Sequence, residues 1–471
     1  MLKKEVMKLD FKFIKSQIAK IVGEKYVSDD PKDLTVYSRD YSSMPPQVAN
    51  LVAAPGCTEE VAAIMRIANR NGINVTVRGG ATTAHLCTAK EGIILDLNRM
   101  NKIIQIDADN CLYLTAQGGT PIYTITQELD KMGFELAGRP MFGPVASIGA
   151  WVNTVGIGSN CTKYGYFSES VTGVEAVLPT GEIVRTGVNS LINCDPIARY
   201  THASDLTGIF VGSRGSMGVI TEVSCRIFPK PKYEDFVTLA YTDENINDMV
   251  KACNLIFREE IADNIDINDD GVAAMVGLEI PFPHLISMTI RGNSEEEVKR
   301  KVEACIAVGE KTGGANLGPM MGQLVTWGGA LNAYIYKQYG AGHLVFIDSY
   351  WHSLEAYPGL YHNFKDSLNS RGLTKNGIFG WFMKGVGCSF PIIAYREPDE
   401  TDAMNEAWKE ISDNWFAIKN SAPGMSVPSA TAYNLDPLKP AYYNLLRNIK
   451  NAVDPKNIMN SKIIPFAGRD E

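Results

Sequence analysis

Apolar and polar positions repeat in two ways along the first half of the chain, and together they predict an α+β fold with a mixed sheet. Short apolar runs predict strands over 51–54, 74–78, 92–97, 111–116 and 219–228, and a hairpin over 171–186. Helical spacing predicts a helix over 59–70 with Thr58 as N-cap, and one over 120–132 with Thr120 as N-cap and Pro121 at the first helical position.

The pattern changes after Pro229 and Pro231, where the glycine-rich character of the first half fades. The elements predicted beyond this point are strands over 233–242, 343–347 and 391–394, and helices over 244–259, 294–312 and 440–452. A proline pair is a plausible boundary between domains, so a second α+β domain is expected after it.

Composition describes an ordinary globular protein of 471 residues, with 45% hydrophobic and 21% charged residues. A net charge of −8 without a basic block makes nucleic acid an unexpected partner. No apolar run is long enough for a transmembrane segment and the N-terminus does not resemble a signal peptide, so a cytoplasmic location is expected. The nine cysteines form no CxxC pair, which predicts buried free thiols and no iron–sulfur or zinc site.

A glycine-rich segment, TVRGGATTAHL over 76–86, follows the strand predicted over 74–78. Glycines allow the backbone to approach a ligand closely, and successive N–H groups in such a turn form a concavity for an anion. Arg78 adds charge or anchors the loop. The segment is neither a GxGxxG motif nor a P-loop, and a tight surface turn is the alternative interpretation.

Two more glycine-rich segments follow in order, over 143–165 and 205–222. In the first, Ser147 is placed to cap a short helix whose N-terminal amides would face a phosphate. Gly156 and Gly158 would bring the backbone against a flat ring system. The second segment carries glycines just before the strand predicted over 219–228.

The order of these segments resembles the FAD-binding domain of the vanillyl-alcohol oxidase / p-cresol methylhydroxylase family, which also includes glycolate oxidase and D-lactate dehydrogenase flavoproteins. The resemblance covers 51–231 and resumes at 451–460, where NAVDPKNIMN is similar to the family's closing element. It implies that FAD is bound by Arg78, Gly79, Gly80, Ala81, Thr82, Thr83, Pro144, Ser147, Ile148, Gly149, Asn153, Gly156, Gly158, Tyr164, Gly215, Gly218, Val219 and Ile220.

The fold implied by the resemblance has two domains. An FAD-binding PCMH-type domain over 1–235, to which 426–471 returns, would pair with a substrate domain over 236–425, a cap built on an antiparallel sheet. The pyrophosphate would lie on the 76–86 loop and the isoalloxazine between the domains. A homo-oligomer is expected, and any one-electron acceptor would be a separate protein or a quinone.

Several family markers are absent from the cap. The positions of two metal-ligating histidines fall on Met383 and Phe390, so no metal site is expected. The histidine that some members join to the flavin maps to Ser389 or Phe390, or to Ala81 in the first loop, which predicts non-covalent FAD. Tyr166 stands where the vanillyl-alcohol branch has an aspartate.

Candidate catalytic residues follow from the placement that the resemblance implies. His352 is a candidate base, with Tyr350 and Trp351 as an aromatic wall, although a structural role for His352 and Trp351 is the simpler alternative. Tyr166 would lie near the flavin ring. Arg396 would bind a substrate anion or pair with a neighbouring carboxylate.

The expected function is an FAD-dependent oxidoreductase that takes hydride from a small organic substrate, an alcohol or an aromatic compound, onto flavin N5. One alternative is a metal-free 2-hydroxy-acid dehydrogenase of the glycolate or lactate type, with Arg396 or Lys384 on the carboxylate. Another alternative is a non-catalytic FAD-carrying electron-transfer subunit.

Overall fold

The structure is a computed structural model. It describes residues 9–40, 45–82, 87–140, 142–275, 277–319, 343–346, 350–383, 385–395, 399–422 and 439–460. The strands of the first half are β1 Val27–Ser28, β2 Leu51–Ala53, β3 Val75–Arg78, β4 Ile93–Asp96, β5 Ile103–Asp107, β6 Tyr113–Gln117, β7 Phe134–Glu135, β8 Val171–Val177, β9 Ile183–Arg185, β10 Val219–Arg226 and β11 Phe228–Pro229.

A small sheet in the order β1-β2-β4-β3 contains the parallel pairs β2/β4 and β3/β4. Helices Phe11–Val22 and Thr58–Asn71 bury their apolar faces in the same core as these strands. The predicted N-cap of the second helix is wrong by one position, because Cys57 is the N-cap. The Thr58 hydroxyl donates instead to Glu175 Oε1 at 2.7 Å, so a tertiary partner replaces the cap.

An antiparallel sheet in the order β5-β6-β10-β8-β9 forms the second layer, and β8 with β9 confirms the predicted hairpin. Helix Ile122–Lys131 packs against this sheet, with Pro121 rather than Thr120 at the N-cap. The Thr120 hydroxyl donates to the Lys102 carbonyl at 3.2 Å, which again removes it from the cap. Short helices follow at Pro31–Val36, Ile148–Asn153, Cys161–Tyr164, Phe167–Ser170 and Thr207–Phe210.

A larger antiparallel sheet contains the strands of the second half in the order β15-β12-β14-β13-β18-β19-β17-β20, with β16 also paired to β19. These strands are β12 Tyr233–Tyr241, β13 Asn264–Asp269, β14 His284–Gly292, β15 Ala315–Asn316, β16 His343–Phe346, β17 Tyr350–Ser353, β18 Asn376–Met383, β19 Val386–Tyr395 and β20 Ser421–Ala422. Its helices are Ile246–Arg258, Asp270–Met275, Glu295–Lys311, Tyr357–Asn369 and Thr401–Ala417.

The change from one sheet system to the next occurs between β11 and β12, close to the proline pair. The division at residue 235 itself stays a prediction. After helix Pro440–Val453 the chain returns to the first sheet, where the Val75 N–H donates to the Ile458 carbonyl and the Asn460 N–H to the Val75 carbonyl. Lys450 fixes this return, since its buried ammonium group donates to the Ser216 carbonyl at 2.6 Å and to Asp454 at 2.5 Å.

All nine cysteines are free thiols, and six of them are buried as predicted. Cys111 and Cys194 are exposed and Cys57 is half-buried, so the prediction of burial does not extend to these three. Among the described residues, the helices are too short or too polar to cross a membrane.

Candidate functional site

The first glycine segment leaves β3 as a short turn with free backbone donors. In the described part of the chain, no amide N–H of residues 79–82 donates to a backbone carbonyl. Ala81 has a φ of 53°, in the left-handed region that alternates with right-handed residues in anion-binding turns. This turn therefore offers consecutive donors to an anionic group.

The second glycine segment packs directly on this turn. A Cβ built on Gly79 would overlap Ser147 Oγ, and one built on Gly80 would overlap the Val145 carbonyl. Gly80 is required because two stretches of backbone meet here, and Gly79 because the Ser147 side chain packs against it. Both are reasons separate from ligand approach.

The short helix Ile148–Asn153 begins at Ser147, but its first amides do not all face a ligand. The Ile148 N–H donates to the Thr120 carbonyl at 3.0 Å and the Gly149 N–H to the Gly118 carbonyl at 2.8 Å. The Ser147 side chain makes no capping hydrogen bond. The phosphate-facing helix terminus predicted for this segment therefore has two of its donors already bonded within the protein.

The third glycine segment packs against Asn153, the last residue of this short helix. Asn153 Oδ1 accepts from the Ser213 hydroxyl at 2.7 Å and from the Gly215 N–H at 3.4 Å. Arg214, with a φ of 54°, is held from both sides, since its N–H donates to the Asn153 carbonyl and its carbonyl accepts from Asn460 Nδ2 at 2.6 Å.

These segments line one cleft. Its walls include eight of the predicted FAD-binding residues, Gly79, Ala81, Thr82, Ser147, Gly149, Asn153, Gly215 and Ile220. It is also lined by residues that the sequence did not single out, Val77, Cys87, Leu97, Ala150, Thr154 and Arg214. These six residues come from strands, loops and a short helix that are distant in the sequence, so no local pattern marks them as neighbours of the glycines.

Other predicted FAD-binding residues support the cleft from outside. Arg78 donates to the carbonyls of Arg39 and Cys87, each at 3.1 Å, and thereby anchors the loop. A Cβ on Gly156 would overlap the Trp151 ring, and one on Gly158 would overlap the Arg139 carbonyl, so internal packing explains both glycines.

The remaining members of the predicted set lie around the cleft. Tyr164 donates to Glu135 Oε1, and Pro144 is exposed. Val219 begins β10 and Gly218 precedes it, while Gly80 and Ile148 pack beneath the turn. Thr83 lies outside the described residues. The assignment of these residues to FAD stays a prediction.

The cleft fits the diphosphate of FAD, because free amides in a left-handed turn, glycine backbone and small polar side chains converge there. When bound, FAD would supply the redox chemistry, and the chain would hold and orient it.

A clamp joins the 160–166 segment to the large sheet. The Thr162 hydroxyl donates to the Phe382 carbonyl at 2.6 Å and accepts from the Ile265 N–H at 2.8 Å. The Asn160 N–H donates to Asn264 Oδ1 at 3.0 Å. Lys163 pairs with Asp263 at 2.9 Å.

Arg291 extends this clamp through two buried carboxylates. Its guanidinium donates to Asp263 Oδ2 at 3.0 Å and to Glu135 Oε2 at 2.6 Å. The cations that the structure describes at this junction are therefore already paired with protein carboxylates.

An aromatic cluster fills the junction beside the clamp. Phe379 stacks on Phe390 with ring centroids 5.2 Å apart, and Trp381 meets both rings edge-on. Tyr166 and Trp351 pack against the same group. Buried members from both halves of the chain complete the cluster: Cys161, Val272, Met275, Met383, Cys388 and Ile392.

Tyr166 is the predicted catalytic residue that the structure brings to this cluster. Burial raises the pKa of its hydroxyl, with further raising by Cys388 and Cys161 and a smaller opposing effect of Trp351. A neutral phenol at this position can donate or accept a hydrogen bond at neutral pH.

His352 lies elsewhere. Its Nδ1 is 2.9 Å from the Ser353 carbonyl and its Nε2 is 2.8 Å from Ser389 Oγ, so both nitrogens are engaged. Its ring centroid is 5.9 Å from that of Tyr357, a member of the core on the helix-covered face of the sheet. Burial lowers the pKa of the imidazole to about 4, against a smaller raising effect of the Ser353 backbone.

The position of His352 follows from strand geometry. Successive side chains of a strand point to opposite faces, and Trp351 faces the aromatic cluster. This placement does not fit the predicted role of His352 as a base over the flavin. Tyr350 begins the same strand, Arg396 lies outside the described residues, and their predicted roles stay predictions.

Asp266 is a candidate that the sequence reasoning missed. It lies within β13, is 2% exposed, and pairs across the strand with Trp381. Burial raises the pKa of its carboxyl to about 7, while the neighbouring side chains of Asn264 and then Trp381 act in the opposite direction. Within the described ranges, no group of three His, Cys, Asp or Glu side chains is arranged to hold a metal ion.

Two family models match the chain, "FAD binding domain" over residues 49–187 and "FAD linked oxidases, C-terminal domain" over residues 429–463. The glycolate oxidase subunit GlcD of Bacillus subtilis is 31% identical over half of this chain and 48% of its own length. The mitochondrial D-lactate dehydrogenase (cytochrome) 1 of Saccharomyces cerevisiae is 25% identical over 94% of this chain and 78% of its own length.

Solved structures share the fold over the whole chain. A p-cresol methylhydroxylase structure with substrate bound has a TM-score of 0.84 at 18% identity and covers 99% of both chains. A 4-ethylphenol oxidase from Gulosibacter chungangensis, in complex with isoeugenol, has a TM-score of 0.82 at 16% identity and covers both chains completely.

The fold and the glycine-lined cleft thus define a flavoprotein oxidoreductase with a PCMH-type FAD-binding domain. Residues 49–187 thus form an FAD binding domain, residues 429–463 match the C-terminal domain of FAD linked oxidases, and the cofactor of the chain is FAD.

Proposed function

We propose that this protein oxidises a small uncharged organic substrate, an alcohol or an aromatic compound, by hydride transfer to FAD bound in the glycine-lined cleft. The observation that carries the proposal is the aromatic cluster at the junction of the two halves. Flat aromatic side chains favour a substrate with an apolar body, because such pockets derive most of their affinity from excluding water.

Charge at the junction supports an uncharged substrate. Lys163 and Arg291 both pair with Asp263, and Arg291 also pairs with Glu135. A substrate carboxylate would have to compete with these buried partners, which is costly because breaking a buried pair leaves an uncompensated charge.

Tyr166 is proposed to contact the substrate or the flavin ring from the FAD-binding side. It packs in the aromatic cluster and stays neutral because burial raises the pKa of its hydroxyl. Its role would be to orient a substrate oxygen by a hydrogen bond.

FAD is proposed to be held without a covalent bond. Ala81 carries no nucleophile, Ser389 Oγ is engaged by His352 at 2.8 Å, and Phe390 stacks on Phe379. These are the positions that the resemblance associates with covalent attachment.

A second candidate, a metal-free 2-hydroxy-acid dehydrogenase, is favoured by the names of the glycolate oxidase and D-lactate dehydrogenase relatives. It needs a cation on the substrate carboxylate, for which Arg396 and Lys384 are the candidates. Under this alternative Arg396→Ala raises KM for hydroxy acids strongly, and an unchanged KM removes it.

The experiment that tests the proposal is anaerobic titration of the FAD-loaded protein with a panel of alcohols, phenols and hydroxy acids. We expect the flavin absorbance to bleach with at least one uncharged alcohol or phenol. Bleaching by hydroxy acids alone supports the second candidate. No bleaching by any compound supports a non-catalytic FAD-carrying electron-transfer subunit.

A further inference from the structure

One carboxyl group is buried in the wall between the two halves of the chain. Asp266 is 2% exposed, and its cross-strand neighbours are Trp381 on β18 and Ser287 on β14. The Cys161 thiol lies across the junction. Its pKa is raised chiefly by burial and next by the negative charge of Asp266. Cys161 and Trp381 are both members of the aromatic cluster, so Asp266 borders that cluster directly.

The two oxygens of Asp266 are in different situations. Oδ2 accepts from Asn264 Nδ2 at 2.7 Å, and the Oδ1 of the same asparagine accepts from the Asn160 N–H at 3.0 Å. Two hydrogen bonds in series, from Asn160 to Asn264 and from Asn264 to Asp266, thus fix the orientation of the carboxyl group. By distance and angle, Oδ1 has no hydrogen-bond partner among the described residues and neither does Nε1 of Trp381, although this indole lies close enough to the carboxyl to lower its pKa. A buried oxygen without a partner is costly, which is a reason to expect a ligand there.

We propose that Asp266 is a catalytic residue, whose Oδ1 binds the hydroxyl group of the substrate and accepts its proton during oxidation. This inference rests on the proposed function, since it concerns the aromatic cluster and the alcohol or phenol substrate proposed to bind there. The aromatic cluster would hold the apolar body of the substrate, while Asp266 and the Trp381 indole N–H bind its oxygen.

The chemistry balances as an alcohol oxidation. The C–H bond of the substrate breaks and its hydrogen leaves with both electrons, a hydride that FAD accepts when bound. The O–H bond breaks and its proton goes to Asp266 Oδ1, while the carbon–oxygen double bond forms. The protonated carboxyl then returns its proton to solvent when the product leaves.

The charge environment suits this role. Burial raises the pKa of Asp266 to about 7, so the group can accept and release a proton near neutral pH. The titratable groups that face it are the Cys161 thiol and, beyond it, the Tyr166 hydroxyl, and burial raises the pKa of both. The cross-strand neighbours Ser287 and Trp381 carry no charge.

A first test measures the protonation of Asp266 itself by infrared difference spectroscopy between about pH 6 and about pH 8, on both sides of the expected transition. We expect the wild-type protein to lose one protonated-carboxyl band over this range and Asp266→Asn to lack that change. Asp269→Asn is the matched control, because Asp269 is a buried carboxyl of the same strand that pairs with Lys365 at 2.8 Å. If the wild-type and D266N difference spectra are the same, the proposal is overturned.

A second test follows flavin reduction by an alcohol or phenol that bleaches the wild type. We expect reduction to accelerate as Asp266 ionises, and D266N to lose this dependence and to be slower by about 10²- to 10⁴-fold. D269N should keep the wild-type pH profile even if it is less stable. A D266N variant that is reduced with the wild-type profile contradicts the role of Asp266 and leaves the proposed function intact. A wild-type protein that no such compound reduces contradicts both.

Discussion

Asp266 and His352 are both buried in the large sheet, and burial moves the pKa of each toward the neutral form of its side chain. The carboxyl is shifted upward and the imidazole downward. The two residues therefore change the stability of the protein in opposite directions over overlapping pH ranges, so a substitution of each residue alone is needed to separate their contributions.

For Asp266, the unfolded chain releases its proton near the ordinary value of 3.8, whereas the folded protein retains it up to about pH 7. The free energy of unfolding therefore falls as pH rises between these values, by an amount on the order of 4 kcal/mol at most. Asp266→Asn should lose this component. Urea unfolding at about pH 5 and about pH 8 measures it, and an equal fall in both proteins contradicts the shift.

For His352, the unfolded chain takes up a proton near 6.5, which the folded protein does not accept until about pH 4. Stability is therefore lost as pH falls through this window. His352→Gln, which keeps a polar side chain without a titration, should be less sensitive to acid than the wild type. Urea unfolding at about pH 7 and about pH 5 tests this, and equal acid sensitivity of both proteins argues against a buried neutral imidazole.

At the scale of elements, the strands and helices that the sequence predicted are found close to their predicted positions, because periodicity and turn residues act locally. The sequence did not predict β13, β14 and β18 of the large sheet. The strand predicted over 219–228 is found as β10 and β11, and the helix predicted over 294–312 as Glu295–Lys311. The caps at Thr58 and Thr120 were wrong because each hydroxyl has a tertiary partner.

The reacting face of the site was harder to predict, because it depends on contacts between distant segments. The alternation in NIDIND places Asp266 and Asn264 on one face of β13, but the sequence does not tell which face meets the 160–166 segment. His352 illustrates the opposite error, in which a residue close in sequence to the cluster lies on the other side of the sheet.

The turn after β3 is expected to require glycine at position 79. Gly79→Ala should displace Ser147, since the new Cβ would overlap its hydroxyl, and thereby disturb the cleft. We expect the purified variant to carry less FAD than the wild type, measured by the flavin-to-protein absorbance ratio. Gly359→Ala is the control, because Gly359 is exposed on a helix and its Cβ would meet only an ordinary contact with Ile418. An unchanged ratio in G79A contradicts this account of the turn.

The clamp between the 160–166 segment and the large sheet should contribute to the free energy of unfolding. Thr162→Val keeps the shape of the side chain but leaves the Ile265 N–H and the Phe382 carbonyl without their partner. The expected loss is about 1–3 kcal/mol per buried unsatisfied group, seen in urea unfolding. Thr180→Val, at an exposed turn where the hydroxyl meets only Glu182, should cost far less, and equal losses would falsify the clamp.

At the scale of the whole molecule, the two halves meet through the clamp and the aromatic cluster, and the C-terminal residues return to β3. FAD bound in the cleft would contact segments from distant parts of the chain and should stabilise the fold by mass action. The expected non-covalent binding predicts that acid precipitation releases the yellow colour into the supernatant. A flavin that remains with the precipitated protein contradicts it.

The central claim is that FAD in the glycine-lined cleft oxidises an uncharged substrate held by the aromatic cluster. It is tested most directly by anaerobic rapid mixing of the FAD-loaded protein with uncharged alcohols and phenols, in parallel with glycolate and D-lactate. The account predicts that flavin absorbance is lost with at least one uncharged compound and not with the two hydroxy acids. Loss with the hydroxy acids alone, or with none of the compounds, would contradict it.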